Sequence, residues 1–426
     1  MDRRSFVLVA LLPAVSLLCA PACVGDDPTV VQEGPGADAT PPPSTENDGS
    51  SDTDGGSTCA VGMADCDGDP KNGCETDTRS SATHCGACGR TCGGTASCEQ
   101  SECTVERLKA DLDHPFSLEL AGPRLLWFEP AVIRGCRADD CNTSTARIVE
   151  VTGSDPPTVA GSPRQIAVLD DKLYFSHCAN GGCGAASCDV TGCKLSGATF
   201  VTTSNPFRRS RVVVGAPDAI YMFQGIDGLY RTDVTAKSIT YLNSTYHVGE
   251  RVQTMHADAS WFIWVDDSPS LANPVGGVYA CPIAGCPDAP NPLLPPPVKH
   301  LAYANGTVYS STGGAAASTA SVVACAVTGC DGAGTVLAQN QAYVTDIAVA
   351  DDAVYFTTAG VEDVTTNSAS VGAVMRCSLP SCPGGPTKIA DGVLNPVSVR
   401  VDSKYVYWVS HGSPGTTDGA VFRRRR

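Results

Sequence analysis

The sequence predicts an all-β protein whose main part is a seven-bladed β-propeller, preceded by a small disulfide-rich module and a disordered linker. An apolar or aromatic residue pair recurs every 42 to 52 residues along the C-terminal three quarters of the chain. The chain also has 22 cysteines, and it contains 43 Gly and 30 Pro but only 5 Met, a composition that favours short strands and many turns over helices. At 426 residues it is long enough for one large domain with smaller appendages.

Residues 1–22 read as a signal peptide. Asp2-Arg3-Arg4 is a short basic region, residues 6–18 are apolar, and Ala20-Pro21-Ala22 is a small-residue cleavage site before Cys23. Cleavage there would leave Cys23 free to take a lipid, so we expect an exported lipoprotein at the outer membrane or cell surface. The usual lipidation signal has Leu three positions before the cysteine, and this chain has Ala20 there. Cleavage without lipidation, which would give a periplasmic or secreted protein, therefore stays open. Residues 3–7 also resemble a twin-arginine export signal.

Residues 23–58 are predicted to be a disordered acidic tether. From residue 24 to residue 58 there is no Lys or Arg, and eight residues are acidic. Such a segment cannot bury enough apolar surface to fold. A flexible chain of this length spans roughly 30 to 35 Å, enough to hold a lipid-anchored protein clear of the headgroups.

Residues 59–103 form the predicted disulfide-rich module. A segment this short cannot fold on its apolar core alone, and dense cysteines indicate an oxidising compartment outside the cytosol. We expect four internal disulfides, with the pairing left open among 105 connectivities. The eight cysteines are Cys59, Cys66, Cys74, Cys85, Cys88, Cys92, Cys98 and Cys103.

Two runs in this module carry a family resemblance. They are Asp65-Cys66-Asp67-Gly68-Asp69-Pro70 and His84-Cys85-Gly86-Ala87-Cys88-Gly89-Arg90-Thr91-Cys92. The pattern resembles a cysteine-rich module common in exported proteins of large-genome Gram-negative bacteria, and it is similar to the stigma-specific cysteine-rich family of plants. The resemblance covers about a tenth of the chain and implies an exported bacterial cysteine-rich lipoprotein without implying a biochemical role.

Two metal sites can be considered in the module. Cys85, Cys88 and Cys92 have a spacing that could hold zinc, but thiols in an oxidising compartment pair with one another first. Clustered carboxylates suit calcium better, although Pro70 and Thr76 depart from the EF-hand pattern. We expect no cofactor, with calcium as the open alternative. The candidate calcium ligands are Asp65, Asp67, Asp69, Glu75 and Asp77.

Residues 104–426 are predicted to form the propeller, because each repeat reads as four short strands. The anchors of the repeats share one feature, an apolar pair in a strand followed by a polar loop. The 323 residues accommodate seven repeats of about 46 residues, while six or eight blades stay open. The anchors are Leu126-Trp127, Leu173-Tyr174, Ile220-Tyr221, Phe262-Ile263, Val308-Tyr309, Val354-Tyr355 and Val406-Tyr407.

The two ends of this region are predicted to meet in one blade. The last repeat stops at Arg426 without an outer strand, and residues 105–109 before the first anchor read as one. We therefore expect the N-terminal strand to complete the last blade and to remove an exposed sheet edge. The run Val406-Tyr407-Trp408-Val409 resembles the propellers named for Tyr-Trp-Thr-Asp repeats, although their Asp is absent here and they usually have six blades.

The propeller cysteines come in pairs five positions apart. A disulfide needs Cα atoms about 4.4 to 6.8 Å apart, far less than five extended steps, so each pair must bracket a turn. Five pairs lie in the predicted hairpin between the third and outer strands, and the pair Cys178 and Cys183 lies between the second and third strands. The other pairs are Cys136 with Cys141, Cys188 with Cys193, Cys281 with Cys286, Cys325 with Cys330, and Cys377 with Cys382.

The loops between second and third strands share one face with the blade-to-blade connections, and we expect this rim to bind a ligand. We predict a binding or scaffolding module for a protein or polysaccharide at the cell surface, with a carbohydrate-active hydrolase or lyase as the alternative. No catalytic motif occurs, so we expect no catalytic residue. The candidate rim residues are Asp266, Asp267, Glu362, Asp363, His411 and Asp418.

Charge and the C-terminus narrow the choice of partner. The net charge of −16 argues against nucleic acid, which requires a basic surface. We expect a monomer that reaches the membrane through its N-terminal lipid. The terminal run of residues 423–426, four arginines, could dock an anionic polysaccharide or headgroup, but we favour a solvated tail or a last strand.

Overall fold

The structure is a computed structural model of the chain. The predicted signal peptide, Cys23 and the predicted tether lie outside the residues that it describes. In the described part of the chain, no helix is long and apolar enough to cross a membrane. The described residues are 59–69, 71–92, 97–130, 132–150, 167–169, 171–179, 182–192, 199–200, 210–214, 219–224, 229–233, 235, 239–243, 252–266, 276–285, 291–313, 319–359 and 370–426.

The small module is built on disulfides and two short ribbons. Strands β1 (Met63–Ala64) and β2 (Thr76–Asp77) pair in one ribbon. Strands β3 (Cys98–Glu99) and β4 (Glu102–Cys103) pair in the other. Cys85, Cys92, Cys98 and Cys103 form the buried cluster at its centre, so sulfur takes the place of an apolar core. Its four disulfides are Cys59–Cys74, Cys66–Cys88, Cys85–Cys98 and Cys92–Cys103.

The rest of the described chain is a β-propeller of antiparallel sheets. The first sheet is β6 to β9, the second β10 to β13, the third β14 to β17, the fourth β18 to β20, the fifth β21 to β24, the sixth β25 to β28, and the last β29 to β31 with β5. The first strands of successive sheets lie side by side around the axis.

The strands of the first half have these bounds: β5 Glu106–Leu112, β6 Phe116–Ala121, β7 Arg124–Glu129, β8 Val132–Arg137, β9 Ala146–Glu150, β10 Ala167–Leu169, β11 Lys172–Ala179, β12 Gly182–Asp189, β13 Thr199–Phe200, β14 Ser210–Val214, β15 Ala219–Gln224, β16 Leu229–Asp233 and β17 Ile239–Asn243. One short helix, α1 (Cys141–Ser144), lies between β8 and β9.

The strands of the second half have these bounds: β18 Val252–Ala257, β19 Trp261–Asp266, β20 Gly277–Pro282, β21 Val298–Ala304, β22 Thr307–Thr312, β23 Ala320–Ala326, β24 Thr335–Gln341, β25 Tyr343–Val349, β26 Ala353–Ala359, β27 Val371–Ser378, β28 Thr387–Leu394, β29 Pro396–Val401, β30 Tyr405–Ser410 and β31 Gly419–Arg425.

The number of complete blades is six, not the predicted seven. Within the described residues six propeller sheets have four strands, whereas the fourth sheet has only β18, β19 and β20. Its outer edge is reduced to a single bridge between Val278 and Leu294. Proline has no N–H to donate to a sheet, and Pro292 and Pro295 flank this bridge in a proline-rich segment, which explains the missing strand.

The predicted ring closure is confirmed. Strand β5, from the beginning of the propeller, is the outer strand of the last sheet and pairs antiparallel with β31. The anchor residues also occupy the expected place, the second strand of each sheet. The first residue of each anchor pair is fully buried: Leu126, Leu173, Ile220, Phe262, Val308, Val354 and Val406.

Disulfides close the turns between third and outer strands, as predicted, wherever both cysteines are described. Three bonds are formed there: Cys136–Cys141, Cys325–Cys330 and Cys377–Cys382, with Cα atoms 4.9, 5.3 and 5.0 Å apart. Cys188 and Cys281 are disulfide-bonded, and their predicted partners Cys193 and Cys286 lie outside the described residues. The backbone positions of Cys178 and Cys183 are register partners in the hairpin of β11 and β12.

Antiparallel order places the two kinds of loop on opposite faces of the ring. Turns between third and outer strands all lie on one face, which we call the stapled face. Loops between second and third strands, and connections between sheets, lie on the other, which we call the rim. The rigid sheets between these faces fix the position of both sets of loops.

Candidate functional site

Three charged residues meet on the inner wall of the propeller, and we call them the inner-wall cluster: Glu119, Asp346 and Arg400. They lie on β6, β25 and β29, the innermost strands of neighbouring sheets. The Arg400 guanidinium donates from Nη1 to Asp346 Oδ2 at 2.8 Å and from Nε to Glu119 Oε2 at 3.2 Å. One guanidinium therefore links carboxylates from the sheets on either side of it.

The carboxylate of Asp346 is saturated with hydrogen bonds. Its Oδ2 accepts from the Ser398 hydroxyl and the Val399 N–H, both at 3.0 Å, in addition to Arg400. Its Oδ1 accepts from the Ile347 N–H at 2.9 Å. These four hydrogen bonds match the number that a carboxylate can accept, so Asp346 is held firmly by contacts inside the protein. Its role is to join β25 to β29.

Glu119 has the more available carboxyl group of the two. Its side chain keeps 28% of its exposure and contacts Arg400 through one oxygen. Burial raises the pKa of this carboxyl above its usual range, and the positive charge of Arg400 opposes the rise. Two neighbouring carboxyl groups thus have different environments, Asp346 fully hydrogen-bonded and Glu119 partly desolvated.

His300 lies on the next inner strand, β21, beside β25. The Ser311 hydroxyl accepts its backbone N–H at 3.2 Å, and the Ser310 hydroxyl donates to its carbonyl at 2.8 Å. Burial lowers the pKa of the imidazole from 6.5 to about 4, so it is neutral at pH 7. Its Nε2 is buried and has no hydrogen-bond partner among the described residues.

Of the six predicted rim residues, the structure describes three. Asp266 ends β19 at the start of a rim loop, and it is fully buried there, opposite Gly277 in the sheet. Asp267, Glu362 and Asp363 lie outside the described residues. His411 is half-buried and Asp418 is exposed, both in the rim loop between β30 and β31.

His411 forms a pair with a residue that the sequence analysis missed, His114. The two rings lie 5.0 Å apart, edge to face. His411 Nδ1 donates to the Pro115 carbonyl at 3.2 Å, and burial lowers the pKa of this imidazole. His114 Nε2 accepts the Gly415 N–H at 3.2 Å. The pair therefore joins the sheet-to-sheet connection at residues 113–115 to the rim loop at residues 411–418.

Asp418 organises the rim loop from within. Its Oδ1 accepts the Ser413 N–H at 2.7 Å, and its Oδ2 accepts the Ser413 hydroxyl at 2.9 Å. The Thr416 hydroxyl donates to Oδ1 at 2.5 Å. These bonds hold the pKa of the Asp418 carboxyl below its usual range, although its partial burial opposes the shift. The loop is therefore held in one shape by its own polar groups.

The acidic loop of the module brings together three of the five candidate calcium ligands. Oxygens of Asp65, Asp67 and Glu75 lie within 4.8 Å of one another. Each already accepts a backbone N–H: from Gly68 to Asp65 at 2.7 Å, from Asp69 to Asp67 at 2.9 Å and from Cys66 to Glu75 at 3.0 Å. Asp69 and Asp77 are not in this group, and they accept the backbone N–H groups of Lys71 and Arg79.

The predicted zinc spacing is used for disulfides. Cys85, Cys88 and Cys92 bond to Cys98, Cys66 and Cys103, so none of these thiols is available as a ligand. The first three terminal arginines lie in β31 and Arg426 follows it, in agreement with the prediction of a last strand. Each of the four contacts a carboxylate or a carbonyl of this chain.

Little in the local sequence indicates the inner-wall cluster or the histidine pair. Asp346 and Arg400 are 54 residues apart, and His114 and Gly415 are 301 residues apart. The available signal is a single charged residue within an otherwise uncharged inner strand, as in β25 and β29. Which partner it meets depends on the ring geometry.

No family model matches the chain, and no curated protein matches it. Solved structures that resemble it include the tricorn protease, at 9% identity and a TM-score of 0.49, over 75% of this chain and 34% of that one. A glycoside hydrolase GH74 enzyme of Niastella koreensis matches at 13% identity and a TM-score of 0.48, over 72% and 53%. A putative TolB from Agrobacterium tumefaciens matches at 12% identity and a TM-score of 0.35, over 74% and 91%. This chain thus spans about a third of the tricorn protease chain, and likeness at these scores assigns neither family nor function.

Proposed function

We propose that this protein is an exported cell-envelope lipoprotein whose propeller binds a protein or polysaccharide at the cell surface through its rim. The observation that carries the proposal is the connection between His114 and His411, which fixes two rim segments against each other. Loops held in one conformation lose little entropy when a ligand binds. A preorganised polar surface of this kind favours recognition.

The stapled face and the disulfides support an extracellular setting. The disulfides of the described residues include four in the module and three in the propeller turns. Such density is typical of proteins that work outside the cytosol. The ring then acts as a stable support, and the loops on its other face provide the variable surface.

A binding screen of the exported, disulfide-bonded chain tests the proposal. The chain is screened against a glycan array and against cell-surface proteins, and any ligand found is titrated against Thr417→Arg. Thr417 is exposed in the rim loop, next to Asp418, so a long cationic side chain there should obstruct the rim. We expect this variant to bind at least tenfold more weakly, a change of about 1.4 kcal/mol.

The matched control is Thr335→Arg. Thr335 is also an exposed threonine, but it begins β24, an outer strand. Thr335→Arg should leave the affinity for the ligand unchanged. Rim binding would be contradicted if the two variants weakened binding equally, or if Thr417→Arg had no effect.

The lipid anchor has its own test. We expect Cys23→Ser to move the protein from the membrane fraction to the soluble fraction, with the same far-UV circular dichroism. Metabolic labelling with a radioactive fatty acid should mark the wild type alone. If wild type and Cys23→Ser fractionated alike, the lipid anchor would be contradicted, whereas the proposal of ligand binding would be unaffected.

One observation favours the alternative, a carbohydrate-active hydrolase. Glu119 is a partly buried carboxyl group with a raised pKa, which suits a general acid, and Arg400 links it to a second carboxylate, Asp346. The saturated hydrogen bonding of Asp346 argues against its use as a nucleophile. Release of reducing sugar from polysaccharides by the wild type, and its loss in Glu119→Gln, would support this function over simple binding.

A further inference from the structure

The cysteine-rich module contacts the propeller at its seam, where β5 pairs with β31. Arg425 Nη1 of β31 donates to Glu102 Oε1 of the module at 2.6 Å. Arg90 of the module lies 3.4 Å from Glu106 Oε2, the carboxylate that begins β5. The module therefore contacts both strands of the closing pair through charged side chains.

Glu106 of β5 and Arg423 of β31 form the ion pair of the propeller seam, and Arg90 of the module contacts its carboxylate. They face each other in the register of β5 and β31, and Nε and Nη2 of Arg423 both lie 2.8 Å from Glu106 Oε2. Arg423 is only 11% exposed, and its guanidinium also stacks over Tyr405 at 4.6 Å. A shielded, hydrogen-bonded ion pair of this kind is stronger than a surface pair.

The terminal arginines use both faces of the last sheet. Successive side chains on a strand point to opposite faces, so Arg423 and Arg425 share one face and Arg424 shares the other with Arg426. Arg423 Nη1 reaches the Ala138 carbonyl of the first sheet's stapled turn at 2.6 Å. Arg424 and Arg426 reach Ile389 and Asp352 of the sixth sheet. The last strand is thus fastened to the module and to both neighbouring sheets.

From these contacts we infer that the cysteine-rich module has a function of its own: it locks the ring closure of the propeller. The module ends at Cys103, three residues before β5, and Cys92–Cys103 fixes this end of it. Strand β5 is an edge strand with one neighbour, and such strands open most readily. The groove at the contact, lined by Arg90, Glu102, Glu106 and Arg423, admits no more than a water molecule.

The position of the lock leaves the rim free. Strand β5 begins, and β31 ends, on the stapled face, so the module contacts the ring on the face opposite His114 and His411. The inference does not depend on the proposed binding function, and its test needs no ligand.

Hydrogen exchange of the full exported chain, followed by mass spectrometry of peptides, tests the lock. The variant Arg90→Gln with Glu102→Gln removes both charged side chains that the module presents to β5 and β31. We expect amides of β5 to exchange at least tenfold faster than in the wild type. Amides of β28, the outer strand of the sixth sheet, should exchange as before.

Two further variants make the result specific. Asp391→Asn breaks the exposed pair of Lys388 and Asp391 on β28, away from the module, and should leave β5 protected. The charge swap Glu102→Arg with Arg425→Glu rebuilds the pair in reverse and should leave β5 as protected as in the wild type. Unchanged exchange of β5 in the double variant, or an equal increase in β5 and β28, would overturn the inference.

Discussion

Asp346 of β25 and Arg400 of β29 form an ion pair at 2.8 Å across the boundary between the sixth and last sheets. The side chains retain 14% and 26% of their exposure, so water screens the pair only in part. Because Arg400 also contacts Glu119 on the first sheet, the pair belongs to a connection across three inner strands. Polar contacts near the axis thus add to the apolar packing between sheets.

Asp346→Ala should lower the free energy of unfolding by about 2–3 kcal/mol, since it removes the closer of the two carboxylates that compensate the largely buried charge of Arg400. The change also removes the acceptor of the Val399 N–H and the Ser398 hydroxyl. Urea denaturation of the disulfide-bonded protein measures it. Asp391→Ala, in an exposed pair, serves as the control and should leave the midpoint unchanged; equal midpoints for all three proteins would show that the inner-wall cluster is dispensable.

Replacing both cysteines of one stapled turn by alanine should reduce stability by about 2 kcal/mol, the loop entropy expected for so short a ring. The pairs Cys325–Cys330 and Cys377–Cys382 close rings of the same size in different sheets. We therefore expect similar losses for each pair and an additive loss for both together. Denaturant midpoints of the two double variants and the quadruple variant provide the measurement, and a loss of folding in either double variant would indicate a larger role than a local staple.

The fold was predictable because its signals are local and repeated. Each anchor pair is apolar and lies in a strand that must be buried on both faces, so a period of about one blade appears in the sequence. The ring closure was predictable from the missing outer strand before Arg426. The incomplete fourth sheet was not predicted, since the anchor Phe262-Ile263 is regular and only the prolines near Leu294 indicate the defect.

The candidate sites were less predictable, because they depend on contacts between distant strands. From the sequence, Asp266 is predicted to lie in an exposed polar loop. In the structure it is the last residue of a central strand, where its neighbours bury it. His114 precedes a proline in a short connection and carries no motif. Its importance follows only from its contacts with His411 and Gly415.

The module should stay folded without calcium. Oxygens of Asp65, Asp67 and Glu75 already accept N–H groups, and these bonds hold the pKa values of Asp67 and Glu75 below their usual range. An ion would have to replace these bonds. We expect the same thermal midpoint in EDTA and in millimolar calcium. A calcium-dependent rise that Asp67→Asn abolishes would instead establish the site.

His300 should make the protein less stable in mild acid. Its pKa is about 4 in the folded protein and near 6.5 in the unfolded chain, so between these values the unfolded chain binds the proton first. Stability therefore falls as the pH drops from 6.5 towards 4, by up to about 3 kcal/mol at the lower limit. The raised pKa of Glu119 acts in the opposite direction, because its stabilisation is present at low pH and lost as pH rises. Comparing wild type with His300→Gln isolates the histidine: urea midpoints at pH 7.5 and 5 should differ more for the wild type. Parallel pH profiles of the two proteins would mean that His300 takes up its proton as readily in the folded ring as in the unfolded chain.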